Sequence, residues 1–145
     1  MKKICLHNIE IITFLIIFTV IASAHCEIPC GIYDDELRIK MISEHIATFE
    51  KSMNQIMKIE KEKHHNSNQF IRWVTNKEHH ANEIQGIVTQ YFMTQRIKPD
   101  AKNYEKKLAL LHQMLINSMK CKQTTDLGHV NTLRKLVKDF KTLYF

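Results

Sequence analysis

Apolar residues recur at steps of three and four along most of this chain, which is the spacing of one face of an α-helix. The first such stripe consists of Ile42, Ile46, Phe49, Met53 and Ile56. The 145 residues include only three glycines and two prolines, too few for the frequent turns of a β-sandwich or barrel. The spacing therefore predicts an all-α chain of one ordinary domain.

Four helices are expected in series, the first from Asp34 to about Lys63. The expected boundaries after it are polar residues 64–68, Pro99-Asp100, and a cap at Thr124, Thr125 or Asp126. The later stripes are Phe70, Trp73, Val74, Ala81, Ile84, Val88, Tyr91 and Phe92; Tyr104, Leu108, Leu111, Leu115 and Met119; and Val130, Leu133, Leu136, Val137, Phe140 and Leu143. Short connections favour antiparallel neighbours, so we expect residues 34–145 to form an antiparallel up-and-down four-helix bundle.

Residues 1–24 have the pattern of a cleavable signal peptide. Lys2 and Lys3 precede an apolar run at residues 11–21, and Ala22-Ser23-Ala24 supplies the small residues of a cleavage site. The run is shorter than the ~20 residues that span a bilayer, although an uncleaved anchor is the alternative. We expect a mature domain at residues 25–145, exported to a periplasm or secreted, with no membrane association after processing.

Metal-binding groups are concentrated in residues 25–33, whose sequence is HCEIPCGIY. After cleavage, His25 offers a free α-amine and an imidazole, and Cys26 and Cys30 offer thiols. The amine, with a pKa near 8, can lose its proton to a metal close to neutral pH. Together with the Cys26 amide nitrogen and two thiolates it makes an N₂S₂ donor set. Planar sites with nitrogen donors indicate Cu(II) or Ni(II) rather than zinc.

This segment resembles the nickel hook of nickel-containing superoxide dismutases, whose mature chains begin H-C-x-x-P-C-G-x-Y. The resemblance extends over residues 25–145, because that family is a four-helix bundle of about this length. It implies an antioxidant enzyme that converts superoxide to oxygen and hydrogen peroxide by Ni(II)/Ni(III) cycling. It also implies that the nickel ion is bound by the His25 amine, the Cys26 amide nitrogen and the thiolates of Cys26 and Cys30. The His25 imidazole would be a fifth ligand in the oxidised state, and the enzyme would be a homohexamer.

Two tyrosines match family residues near the metal. Tyr33 matches the hook tyrosine, which screens the metal and orders small molecules near it, and Tyr91 matches a second tyrosine near the site. Packing roles remain open for both, since Tyr33 precedes a helix and Tyr91 fits the second apolar stripe.

The residues that orient the hook imidazole in the family are not reproduced. Lys40 stands where the family can have a glutamate, and His80 stands where it can have an arginine. Outer hydrogen bonds must still fix the ring, because they set the orientation and basicity of a metal-bound histidine. Glu44, Glu78 and His80 are the candidates, and the sequence does not choose among them.

The net charge of +6 is compatible with attraction of superoxide, an anion. No basic patch interleaved with aromatic residues is present, so no nucleic-acid partner is expected. Two other functions remain open. One is a secreted helical binding protein with a Cys26–Cys30 disulfide, and the other is a nickel or copper carrier without turnover. Cys121 is expected to be a buried free thiol.

Overall fold

The computed structural model describes residues 33–64 and 66–145. The expected signal peptide, its cleavage site and the hook ligands His25, Cys26 and Cys30 lie outside the described residues. Asp34–Phe145 forms one compact unit. Its helices are α1 (Asp35–Glu60), α2 (Ser67–Gly86), which continues into a π-helical segment (Ile87–Arg96), α3 (Tyr104–Gln123) and α4 (Leu127–Tyr144). No strand occurs among the described residues, so the all-α prediction is confirmed.

Contacts between the helices show that neighbours run antiparallel. On the α1–α2 side, Asn76 Nδ2 donates to Ser52 Oγ at 2.9 Å, whereas the later Tyr91 reaches the earlier Asp35. α2 and α3 are also antiparallel, because Lys77 contacts the end of α3 whereas the later Gln85 contacts the earlier Leu115. α4 closes the bundle against α1, with Arg134 beside Glu50 and Tyr144 beside Asp35. The predicted four-helix bundle is confirmed.

The buried residues of α1 and α4 follow the predicted stripes. All five apolar residues of the first stripe are buried, as are all those of the fourth except the half-buried Leu143. The second stripe is buried only from Ala81 onward, because Phe70, Trp73 and Val74 are half-exposed at the start of α2. The incompletely buried residues of this stripe therefore all lie at the start of α2.

The face predicted for α3 is displaced. Met119 is 52% exposed, and Tyr104, Leu108 and Leu115 are only partly buried. The residues that face the core are Lys107, Leu111, Met114, Ser118 and Cys121. Apolar residues lie on two adjacent sides of α3, so the helical period alone does not select the side that packs.

Side-chain caps lie at the starts of α1 and α4, whereas the predicted start of α3 has to be corrected. Asp34 Oδ1 accepts from Leu37 N at 2.8 Å, and Asp126 Oδ1 accepts from Gly128 N at 2.8 Å. The prediction that Pro99-Asp100 starts the third helix is wrong, because turns follow this proline and α3 begins at Tyr104. Asn103, just before it, has a φ of 59°, a left-handed conformation in which asparagine is favoured over most residues.

The π-helical segment was not anticipated from the sequence. Its backbone bonding spans five residues, as in Ile97 N to Phe92 O at 2.9 Å, and the side-chain hydroxyl of Thr94 also donates to Thr89 O at 2.8 Å. π-helical turns are rare in proteins, and those that occur are often found at functional sites. Residues five apart come close to one another along the segment, and both Tyr91 and Arg96 contact the start of α1.

A buried lysine joins α2 to the end of α3. Lys77 is 4% exposed, and its Nζ donates to the carbonyl of Cys121 at 2.9 Å and to that of Lys122. The last carbonyls of a helix have no partner within the helix, and a cation there also suits the negative end of the dipole. Lys77 therefore caps α3 from a neighbouring helix.

Replacing Lys77 with methionine is expected to lower the free energy of unfolding by about 2 kcal/mol, because two carbonyls lose a charged donor. Urea unfolding followed by circular dichroism measures this. Lys120→Met is the control, since Lys120 is exposed in the last turn of the same helix and should change stability by no more than about 0.5 kcal/mol. Equal stability of the two variants would contradict the capping role.

None of the described helices is long and apolar enough to cross a membrane.

Candidate metal centre and its surroundings

The predicted site residues that the structure describes occupy different surroundings. Tyr33 lies just before α1 and is 42% exposed, whereas Tyr91 is buried within the core. Glu44 is exposed on α1, with Lys40 at 4.0 Å, and Glu78 lies 3.5 Å from the ammonium of Lys77. Each of the two glutamates therefore already contacts a cation of the bundle.

His80, the third candidate for orienting the hook imidazole, pairs with a histidine of α1. His45 Nδ1 and His80 Nδ1 are 2.8 Å apart, so one of them donates a hydrogen bond to the other. His45 Nε2 is buried with no hydrogen-bond partner among the described residues. Since a buried N–H without a partner is costly, we assign the proton of His45 to Nδ1, with His80 Nδ1 as the acceptor.

The surroundings keep this histidine pair, His45 and His80, neutral. Burial lowers the pKa of His45, and the charge of His79 adds to the effect, while Glu83 and Glu44 oppose it. Burial also lowers the pKa of His80, again with contributions from His45 and His79 and with Glu83 opposing. If both rings were protonated, their Nδ1–H groups would face each other and the hydrogen bond would be lost.

Acid is therefore expected to destabilise the bundle through the histidine pair. Because both pKa values are lowered in the folded chain, the unfolded chain binds protons first as the pH drops below about 6.5. The free energy of unfolding should then fall with pH until the folded pair is itself protonated. Urea unfolding between pH 7 and pH 5 measures the slope, which His80→Gln should reduce. His112→Gln, at an exposed position of α3, is the control; an equal slope in both variants would exclude the histidine pair as the cause.

A carboxylate in the first turn of α1 gathers three side chains from distant parts of the sequence. Asp35 Oδ1 accepts from Tyr91 Oη at 2.5 Å and from Arg96 Nε at 2.8 Å. Asp35 Oδ2 accepts from Arg96 Nη2 at 2.7 Å and from Tyr144 Oη at 2.7 Å. We call Asp35, Tyr91, Arg96 and Tyr144 the Asp35 cluster. It joins α1, the π-helical segment and α4.

The Asp35 cluster holds its carboxylate ionised and its tyrosines protonated. Burial acts to raise the pKa of Asp35, but the hydrogen bonds from Arg96, Tyr91 and Tyr144 outweigh it, and the pKa is lowered. Burial together with the neighbouring Asp35 raises the pKa of both Tyr91 and Tyr144 to about 12. The Arg38 guanidinium also lies 5.1 Å from the centroid of the Tyr91 ring. Tyr91 is thus a neutral donor held from two sides.

Cys121 is the buried free thiol that the sequence predicted. Burial raises its pKa to about 11, so the thiol stays protonated near neutral pH and is a poor nucleophile and metal ligand. Among the described residues, no three His, Cys, Asp or Glu side chains are placed to hold one metal ion.

The donor chemistry of residues 25–30 fits nickel. An amine, an amide nitrogen, two thiolates and an imidazole are nitrogen and sulfur donors suited to a planar or five-coordinate Ni(II) or Cu(II) site. Such a donor set is typical of a metal-dependent protein. The residues that carry these donors lie outside the described residues.

Comparison with family models decides which metalloprotein class this is. The model of nickel-containing superoxide dismutase matches residues 20–145, a range that includes both the bundle and the HCEIPCGIY segment. The chain belongs to the nickel-containing superoxide dismutase family. It is an oxidoreductase whose substrate is superoxide and whose cofactor is nickel. No curated protein and no solved structure gives a significant match to the chain.

Sequence reasoning did not single out the Asp35 cluster or His45. The sequence has three acidic residues at the start of α1, Asp34, Asp35 and Glu36, which are equivalent as residue types, and only Asp35 is largely buried there. Its partners lie 56 to 109 residues away in sequence. No local pattern connects them, so the packing of the helices was needed to find the cluster.

Proposed function

We propose that His25, Cys26 and Cys30 form the nickel site of this superoxide dismutase. The observation that supports this most is the coincidence of the family match with the six hook residues at positions 25, 26, 29, 30, 31 and 33. His25 would bind by its amine and imidazole, Cys26 by its amide nitrogen and thiolate, and Cys30 by its thiolate.

The protein residues supply charge and orientation at this site. Two thiolates and a deprotonated amide are anionic donors, and these favour the higher oxidation state of a metal. Nickel held by these donors would supply one-electron exchange with superoxide between Ni(II) and Ni(III). The thiolates are themselves open to oxidation by peroxide, so the segment must limit access to them. Tyr33 is assigned that screening role.

The imidazole of His25 requires a hydrogen-bond partner, for which Glu44, Glu78 and His80 remain the candidates. Tyr91 is proposed to act near the site through its neutral hydroxyl. That hydroxyl is held in place by the hydrogen bond that it donates to Asp35.

Processing and assembly complete the proposal. Removal of residues 1–24 would expose the His25 amine and place the mature enzyme in an exported compartment without membrane attachment. We further propose a homohexamer, in which neighbouring subunits would help to exclude water from segments that lack a core of their own. Light scattering of the nickel-loaded enzyme should give six chains, and a monomer at micromolar concentration would contradict the assembly.

The decisive experiment combines intact mass, nickel content and superoxide consumption of the purified mature protein. The expected result is a chain that begins at His25, carries one nickel per chain and consumes superoxide. A mass two hydrogens lower, with no nickel and no free thiols at positions 26 and 30, would indicate a disulfide-bonded binding protein. Stoichiometric nickel without superoxide consumption would indicate a carrier.

A further inference from the structure

The metal-binding segment is covalently joined to the bundle at one point. On the proposed function its first residue is a free amine, so its only covalent link to the helices runs through Tyr33 and Asp34. How firmly the first turn of α1 is held therefore bears on the position of the metal donors.

Apolar burial does little to hold that turn, although Arg38 lies over the Tyr91 ring. The stripe of buried apolar residues in α1 begins only at Ile39. Before it, Asp34, Glu36 and Leu37 are exposed, and Leu37 leaves 47% of its surface in water. The Asp34 cap stabilises the helix start by about 1 kcal/mol but does not join it to another helix. Helix ends held only by their own hydrogen bonds fray readily.

Asp35 is the exception within this turn. Its side chain is 14% exposed, and it receives four hydrogen bonds from three residues, two of them from the planar fork of Arg96. Paired nitrogen–oxygen contacts of this kind fix direction as well as distance. The same carboxylate connects the turn to two other elements of the bundle, through Arg96 and Tyr144.

We propose that Asp35 is a positioning residue for the nickel site, because it anchors the point at which the metal-binding segment joins the bundle. This inference rests on the proposed ligand set. Without the anchor, residues 34–38 would be able to unwind and would become part of the link, since Ile39 would then be the first fixed residue. A longer link spreads the donors over more positions, and displacement by about 1 Å can reduce turnover by about a hundredfold.

The test compares three variants of the mature nickel-loaded enzyme. Asp35→Asn should speed amide hydrogen exchange at residues 36–38, alter the absorption and circular dichroism of bound nickel, and lower turnover roughly tenfold or more. Glu36→Gln is the matched control, because Glu36 lies in the same turn and makes only an exposed contact with Lys141 at 3.3 Å. It should leave all three measurements unchanged.

Lys77→Met is the second control, since it weakens the bundle at the end of α3 instead. If Asp35 acted only on overall stability, Lys77→Met would alter the nickel spectra as much as Asp35→Asn does. If Asp35→Asn does not fold, Tyr144→Phe serves, because it removes one of the four hydrogen bonds and retains the Arg96 pair. Faster exchange at residues 36–38 with altered nickel spectra, absent in both controls, is the expected result.

Unchanged exchange, spectra and turnover in folded Asp35→Asn, or in Tyr144→Phe if that variant has to be used, would overturn the proposal. Failure of the proposed ligand set would appear separately. In that case nickel content and turnover would survive Cys26→Ser, whatever the behaviour of the Asp35 variants.

Discussion

One alanine added before His25 of the mature chain is expected to abolish nickel-dependent superoxide turnover and to leave helicity unchanged. The extension converts the His25 amine into an amide and moves the free amine one residue away. The five-membered chelate ring between that amine and the Cys26 amide nitrogen can then no longer form. The bundle should be unaffected, because the added residue lies outside every apolar stripe.

Superoxide consumption and far-ultraviolet circular dichroism of the extended and mature proteins measure the two effects. The unprocessed precursor should be inactive for the same reason. A useful control is a single alanine added after Phe145, which leaves the His25 amine in place. Full activity of the alanine-extended protein with its added residue intact would show that the amine is not a ligand.

The second large effect is expected from the thiolates. Cys26→Ser and Cys30→Ser should each eliminate turnover, because a serine hydroxyl does not ionise near neutral pH as a coordinated thiol does. Both variants should also lose most of their nickel after dialysis against a chelator. Cys121→Ser is the matched control, since Cys121 is buried and its thiol is protonated. Although it can lower stability, the folded variant should retain nickel and turnover.

His25→Ala separates the two donors of the first residue. This variant keeps the amine, so it should still bind Ni(II) with the thiolates, but it lacks the imidazole and should lose turnover. Metal analysis and a superoxide assay on one sample distinguish these outcomes. Turnover equal to that of the unchanged enzyme would remove the imidazole from the proposed ligand set.

The regular parts of the fold were accessible from the sequence because their signals are local. The α1 stripe repeats along a single helix, and Asp126 caps α4 two residues from its backbone partner. The face of α3 was displaced because Leu108 and Leu111 lie on adjacent sides and the neighbouring helices select between them. The π-helical segment gave no local signal, since its apolar residues also fit an α-helix.

The candidate site likewise has one part that the sequence predicts and another part that only the structure shows. The hook residues are contiguous, so their donor chemistry can be read directly, and the family match covers them. The partners of Asp35 and His45 come from other helices, and their contacts arise only when the bundle packs. A sequence shows that Tyr91 is apolar enough for the core, but it does not show which carboxylate accepts the hydrogen bond from its hydroxyl.

The dependence of the Asp35 cluster on Tyr144 also sets an order of events during synthesis. A ribosome makes α1 first and α4 last among the four helices, so Asp35 emerges long before one of its partners exists. Contacts between such distant residues also carry the entropy cost of closing a long loop. Tyr91 and Arg96 can hold Asp35 earlier, but the bond from Tyr144 is added only after α4 has been made, so nickel that arrives before then would meet a donor segment whose attachment to the bundle is incomplete.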